Sequence, residues 1–336
     1  MPTAPDPAAR KEVSPRPAGF SPPAWLVGGH RQTVLGHWLR HLARFPLPVV
    51  DLPVDAGEGV RLLLRASWQP GPHQQRPALV IVHGLGGSDA SSYAVSMGRH
   101  AWAHGWHVLR MNMRGCGGGE ALCPLLYNAG LDSDLLAVVD EVARRVRRVA
   151  VVGFSLGANL ALLMLGRRQG ALPPQLGAVA AVSPPVDLAA CADALEAPAN
   201  RAYQYRFLLM LGDAYRRRSR ARPDLFAPGR ERGARTVREY DERITAPYGG
   251  YESAAQYYER SSAGPWLGAI DRPTLLLAAQ DDPLIPASSV ERWSLAPSVR
   301  REMTATGGHV GFVGPSRAPG WFWAAERVME FLEDRP

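Results

Sequence analysis

A chain of 336 residues, 46% hydrophobic and 21% charged, can bury a large core and is neither a disordered nor a fibrous sequence. Its net charge of +7 is almost all arginine, Lys11 being the only lysine; the excess reads as spread along the chain, so no nucleic-acid partner is expected. The cysteines Cys116, Cys123 and Cys191 lack paired CxxC spacing, so neither a disulfide framework nor a metal site is implied.

Residues 1–20 are rich in Pro, Ala and charge and are expected to form a flexible leader ahead of a single domain over 21–336. No basic region leads into an apolar core there, so no secretory signal is read and a cytoplasmic protein is expected. A short irregular or helical stretch at 21–42 precedes strands near 48–54 and 60–68, which are joined through Ala56 and Gly57 as an entry hairpin. From Pro77, β-branched runs at 78–83, 107–113 and 149–154 alternate with helical segments at 93–104, 131–147 and 156–168. Apolar runs without period-2 alternation indicate strands buried on both faces, so the class is α/β with a mostly parallel, doubly wound sheet. Residues 149–166 carry no charge over a length approaching a membrane span, but Gly153, Ser155, Gly157 and Asn159 interrupt them. A strand, a glycine turn and a buried helix fit that pattern better.

A strand at 178–183 continues the sheet, and residues 186–265 then break the rhythm with arginine- and tyrosine-rich helical sequence. This segment is predicted to be an inserted helical cap over the C-terminal edge of the strands, where ligands bind in open α/β sheets. Tyr203, Tyr205, Phe207, Leu208 and Tyr257 either line an acyl-binding pocket there or only anchor the cap. Arg216, Arg217, Arg218, Arg220 and Arg222 form a basic run read as a solvated helix face, with acidic lipid headgroups as the alternative contact. The βα rhythm resumes with a strand at 274–279, a helix at 287–295, a strand near 300–304 and an amphipathic helix at 321–332.

Gly153-Phe154-Ser155-Leu156-Gly157 is a GxSxG placed where a strand hands over to a helix, the context a nucleophilic serine on a strained turn requires. A serine hydroxyl needs a base, and the base an orienting acid. Of nine histidines only His309 follows the insertion, in Gly307-Gly308-His309-Val310-Gly311 just beyond a predicted strand. For the acid, Asp282 is preferred in Gln280-Asp281-Asp282-Pro283-Leu284-Ile285-Pro286, with Asp281 as the alternative. His83-Gly84-Leu85-Gly86-Gly87 lets the backbone approach a reacting carbonyl, so the amides of Leu85 and Leu156 are predicted to form an oxyanion hole. His83 itself is assigned a structural hydrogen-bonding role. Asn112 to Gly119 forms a second glycine-rich loop that lacks the lysine and Ser/Thr of a phosphate cradle; it is expected to shape the pocket floor with Arg114 salt-bridged beneath.

With those motifs in place the chain resembles the YheT-like branch of the α/β-hydrolases, which includes the mammalian abhydrolase-domain phospholipases and esterases. The resemblance runs nearly end to end. It is carried by Pro23-Ala24-Trp25-Leu26 with Gly29-His30-Arg31-Gln32-Thr33, by the Arg114-Gly115-Cys116 core, by Tyr240-Asp241-Glu242-Arg243-Ile244-Thr245-Ala246-Pro247, and by the acid and base loops. It implies a Ser155, Asp282, His309 triad and a carboxylesterase or lipase-like activity on small-molecule or lipid esters, with no cofactor and no metal. Phospholipase or acylglycerol lipase action is the alternative, and a non-catalytic binding protein on the same fold the more distant one. Peripheral membrane contact and oligomeric state stay open. One departure is Asn128 where histidine is expected, and the run after it reads as lacking an acidic pair.

Overall fold

The computed structural model describes residues 19–41, 47–123 and 125–334, so the expected leader lies outside it apart from Gly19 and Phe20. The eight strands are β1 (Val50–Asp55), β2 (Arg61–Ser67), β3 (Ala78–Val82), β4 (His107–Asn112), β5 (Val149–Phe154), β6 (Leu176–Val182), β7 (Thr274–Ala279) and β8 (Val299–Thr304). They form one sheet in the order β1-β2-β4-β3-β5-β6-β7-β8. The entry hairpin β1/β2 and the β2/β4 pair are antiparallel; every other pair is parallel.

Within β3, Leu79 and Ile81 enter one core, while Ala78, Val80 and Val82 enter the other. Helices α2 (Ser92–Ala103) and α11 (Trp323–Glu333) supply the first core. The second is supplied by α3 (Asp132–Ala143) and α4 (Leu156–Arg167). A strand covered on both sides has no solvent face to mark with polar residues, which is why its sequence shows no alternation. The uncharged run at 149–166 is β5, the turn at Ser155 and α4, whose residues Leu156 to Gly166 are all buried. A helix apolar on every side belongs in a core.

Between β6 and β7 no strand is added. The chain instead forms α5 (Leu188–Glu196), α6 (Arg201–Ala221), α7 (Val237–Tyr240), a π-helical turn (Asp241–Thr245), α8 (Ala246–Tyr248) and α9 (Ala254–Ser261). The two ends of this segment meet where the Gly264 amide donates to the Val186 carbonyl at 2.8 Å. Tyr215, Phe226, Tyr240 and Ile244 give it a small core of its own. Helix α10 (Ala287–Glu291) and α3 are shorter than their sequence patterns suggested. An acidic pair does follow Asn128, contrary to expectation: Asp132 meets Arg167 and Arg168, and Asp134 meets Arg114. Among the described residues no helix is long and apolar enough to cross a membrane.

Candidate active site

Ser155 sits between β5 and α4 with φ 53° and ψ −121°, a conformation that costs on the order of 1–3 kcal/mol for a residue with a side chain. Its amide donates to the Val182 carbonyl at 2.9 Å, which ties the turn to β6. A Cβ on Gly153 would lie 2.3 Å from the Gly157 carbonyl oxygen, and one on Gly157 2.5 Å from that of His83. Backbone packed against backbone cannot yield that space, so both positions require glycine.

The loop after β8 brings His309 to this turn. Its Nε2 lies 2.9 Å from Ser155 Oγ and its Nδ1 3.0 Å from Asp282 Oδ2. In the tautomer whose Nδ1 donates to Asp282, Nε2 is left to accept from the serine hydroxyl. The Asp282 side chain is 1% exposed, and its other oxygen accepts the amides of Leu284 at 2.8 Å and Ile285 at 3.1 Å. Asp281 points elsewhere. Its carboxylate accepts the Gly308 amide at 2.9 Å and the Thr306 hydroxyl at 2.5 Å, so it fastens the histidine loop while Asp282 meets the ring.

Helix α1 (Gly29–His41) clasps the same loop from outside. The His309 amide donates to Thr33 Oγ1 at 2.8 Å, and buried Gln32 both donates to the Val313 carbonyl at 3.0 Å and accepts its amide at 2.7 Å. Within the motif Gly29-His30-Arg31-Gln32-Thr33, Gln32 and Thr33 thus hold the histidine loop in place. Ser183, also unforeseen, accepts the Val310 amide at 3.1 Å.

At the end of β3, the Gly84 amide donates to Tyr93 Oη and the Gly86 amide to Tyr127 Oη, each at 2.8 Å. The intervening Leu85 amide and the Leu156 amide at the start of α4 donate to no other described residue. Burial lowers the His83 pKa to about 4, so the ring is neutral near pH 7. Its Nε2 accepts the Met113 amide at 3.2 Å, which makes Nδ1 the donor to the Gly84 carbonyl at 2.8 Å. Arg114 lies under its loop in a bidentate pair with Asp134, 2.7 Å on both sides. Gly115, Cys116 and Gly117 of the same loop do line the pocket.

Two cavities meet at Ser155, Leu85 and His309. The one under the inserted helices, about 420 Å³, is lined by Leu188, Leu195, Phe207, Val237, Tyr257 and Ile285 among others. A second of about 350 Å³ opens between α1 and α6 beside Val34, Trp38, Tyr203 and Arg206. Of the five side chains predicted for the pocket, Phe207 and Tyr257 line the first cavity, and Tyr203 lines the second. Tyr205 is 65% exposed and Leu208 packs into the small core of the insertion, because helical phase turns both away from the sheet. Two cysteines also line the first cavity, yet burial pushes the Cys116 thiol up to about 12 and Cys191 upward as well, so neither is a thiolate competing with Ser155. Asp241 is the buried acid of this cavity; desolvation raises it to about 6, although Thr245 and Tyr258 donate to it at 2.6 and 2.7 Å. Among the described residues no group of three His, Cys, Asp or Glu side chains could hold a metal ion.

A family model described as alpha/beta hydrolase fold matches residues 77–314. YheT of Escherichia coli (strain K12), named as an esterase, is 33% identical over 94% of this chain and 93% of its own length. The monoacylglycerol lipase of Saccharomyces cerevisiae is 29% identical over 77% of this chain, which spans 59% of that relative. Among solved structures, the Pyrococcus furiosus esterase Pf2001 superposes with a TM-score of 0.56 at 17% identity, covering 87% of this chain and 94% of that one.

Proposed function

The chain belongs to the alpha/beta hydrolase family, within its YheT-like branch, and from that premise we propose that it is a serine hydrolase cleaving carboxylic esters through Ser155, His309 and Asp282. The observation that carries the reading is the unbroken chain of hydrogen bonds from Ser155 Oγ through His309 to Asp282. In this reading Ser155 Oγ attacks the ester carbonyl carbon as its proton passes to His309 Nε2. The oxyanion turns to the Leu85 and Leu156 amides at the N-terminus of α4, where the helix dipole also favours negative charge. Collapse breaks the carbon–oxygen bond and the leaving alcohol takes the proton from Nε2. Water then attacks the acyl-enzyme with His309 again as base, releasing the acid and restoring Ser155.

The first cavity is the acyl site in this proposal. Its volume and apolar walls suit a fatty acyl chain, and a relative named as a monoacylglycerol lipase favours lipid acyl esters within the broader ester class. Labelling with a fluorophosphonate probe tests the chemistry: the adduct is expected on Ser155, and an unlabelled protein, or one labelled elsewhere, would sink it. A p-nitrophenyl ester series from acetate to palmitate then measures the acyl preference.

A further inference from the structure

Helices α1 and α6 frame the mouth of the open cavity and are joined across it: His30 stacks on Tyr203 at 5.7 Å between ring centroids, and Arg206 donates to His37 Nε2 at 3.3 Å. Both helices leave large apolar side chains in solvent. Val34 and Trp38 on α1 are 44% and 68% exposed, and Tyr205 and Leu209, one turn apart on α6, are 65% and 51% exposed. Isolated exposed apolar residues are ordinary, but four on the two helices that flank one opening, two of them lining it and two on the outer side of α6, are a concentration that favours an interaction surface.

The same two helices concentrate the charge. Together they hold eight arginines and one acid, Asp213, a formal +7 that equals the net charge of the whole chain. The two helices thus account for the whole net excess of the chain. Arg216 and Arg217 meet Asp213, and Arg218 is buried against the Arg114 carbonyl. Arg31, Arg201, Arg206 and Arg220 are exposed and have no carboxylate within ion-pair distance among the described residues. Aromatic and aliphatic side chains set among uncompensated arginines match a lipid interface, where apolar groups enter the acyl boundary and arginines meet phosphate.

We propose that the α1–α6 face is a docking surface for an anionic phospholipid bilayer, which seats the open cavity against the membrane so that an acyl ester can pass from the lipid to Ser155. Delivery to Ser155 rests on the esterase reading above; the docking does not.

Co-sedimentation of the full chain with phosphatidylcholine vesicles, with and without 30 mol% phosphatidylglycerol on the order used to mimic an anionic surface, tests it. The expected result is binding to the anionic vesicles only, weakened by salt. The double variant Arg201→Glu/Arg220→Glu and the double variant Tyr205→Ser/Leu209→Ser, none of whose residues lines either cavity, should each lose about tenfold or more in vesicle affinity while p-nitrophenyl acetate turnover stays within about twofold. Ser155→Ala should bind vesicles like the wild type, which separates failure of docking from failure of the chemistry. Wild-type protein that ignores anionic vesicles, variants that bind as tightly as wild type, or tighter binding to duplex DNA would overturn the proposal. So would a wild-type dimer that the Tyr205→Ser/Leu209→Ser variant dissociates, since the face would then join two copies of the chain.

Discussion

The loops at the C-terminal edge of the sheet and the helices inserted above them are built on different principles. Below, Ser155, Asp282 and His309 are fixed by backbone amides, by glycines with no room for a Cβ, and by the α1 clasp. Above, the helices carry their own small core and reach the rest through side chains, as where Asn200 donates to the Pro283 carbonyl at 2.6 Å or Tyr257 Oη accepts the Ala129 amide at 3.0 Å. Reacting groups need positions held to fractions of an ångström, whereas a wall that sorts substrates needs only shape. Variants below should therefore change turnover and leave substrate ranking alone, and variants above should do the reverse.

The largest effect is expected for Ser155→Ala, which removes the proposed nucleophile without disturbing the core. Ester turnover should fall by about 10⁴-fold or more with the melting temperature preserved. Retention of more than about a tenth of wild-type kcat would mean another group attacks.

Next come the neighbouring aspartates. Asp282→Asn should cost about a thousandfold or more in kcat because Nδ1 loses the carboxylate that fixes its tautomer. Asp281→Asn should cost about tenfold or less and lower the melting temperature, because it loosens Thr306 and Gly308 instead. The opposite ranking would transfer the orienting role to Asp281. Thr33→Val, which deletes the acceptor of the His309 amide, should lower kcat by roughly tenfold with an unchanged acyl-length optimum, since a single lost hydrogen bond is worth about 1 kcal/mol or somewhat more. An altered optimum in that variant would erase the division between the two layers.

The smallest effect per step belongs to the upper layer. Each methylene buried in the proposed acyl cavity is worth about 0.8 kcal/mol, so kcat/KM should rise about fourfold per added carbon until the cavity is full. Phe207→Ala should shift that optimum to longer chains with little change in melting temperature, as this side chain lines both cavities and is only partly buried. Tyr257→Ala should shift the optimum and also destabilise the protein, because its hydroxyl accepts the Ala129 amide in a buried site. Equal rates for acetate and octanoate esters would show that the cavity does not hold the acyl group.

Much of the lower layer was legible because its determinants are local. A GxSxG between an apolar strand and an apolar helix dictates the Ser155 turn, uninterrupted β-branched runs dictate strands covered on both faces, and a lone late histidine in a glycine loop singles out His309. Each depends on neighbours a few residues away. For the acid, sequence preferred Asp282 but kept Asp281 as the alternative, and tertiary structure turned Asp282 to the imidazole and Asp281 to the Gly308 amide. It also decided that Thr33 and Gln32 hold a loop 276 and 281 residues further on, and that Tyr205 faces solvent while Phe207 faces the cavity. The basic run of α6 was visible in sequence, but only packing set Arg31 of α1 on the same side of the molecule and buried Arg218. Pairing across such separations is fixed by how elements pack, and the phase of one helix against another is a property of the assembled core that no local window contains.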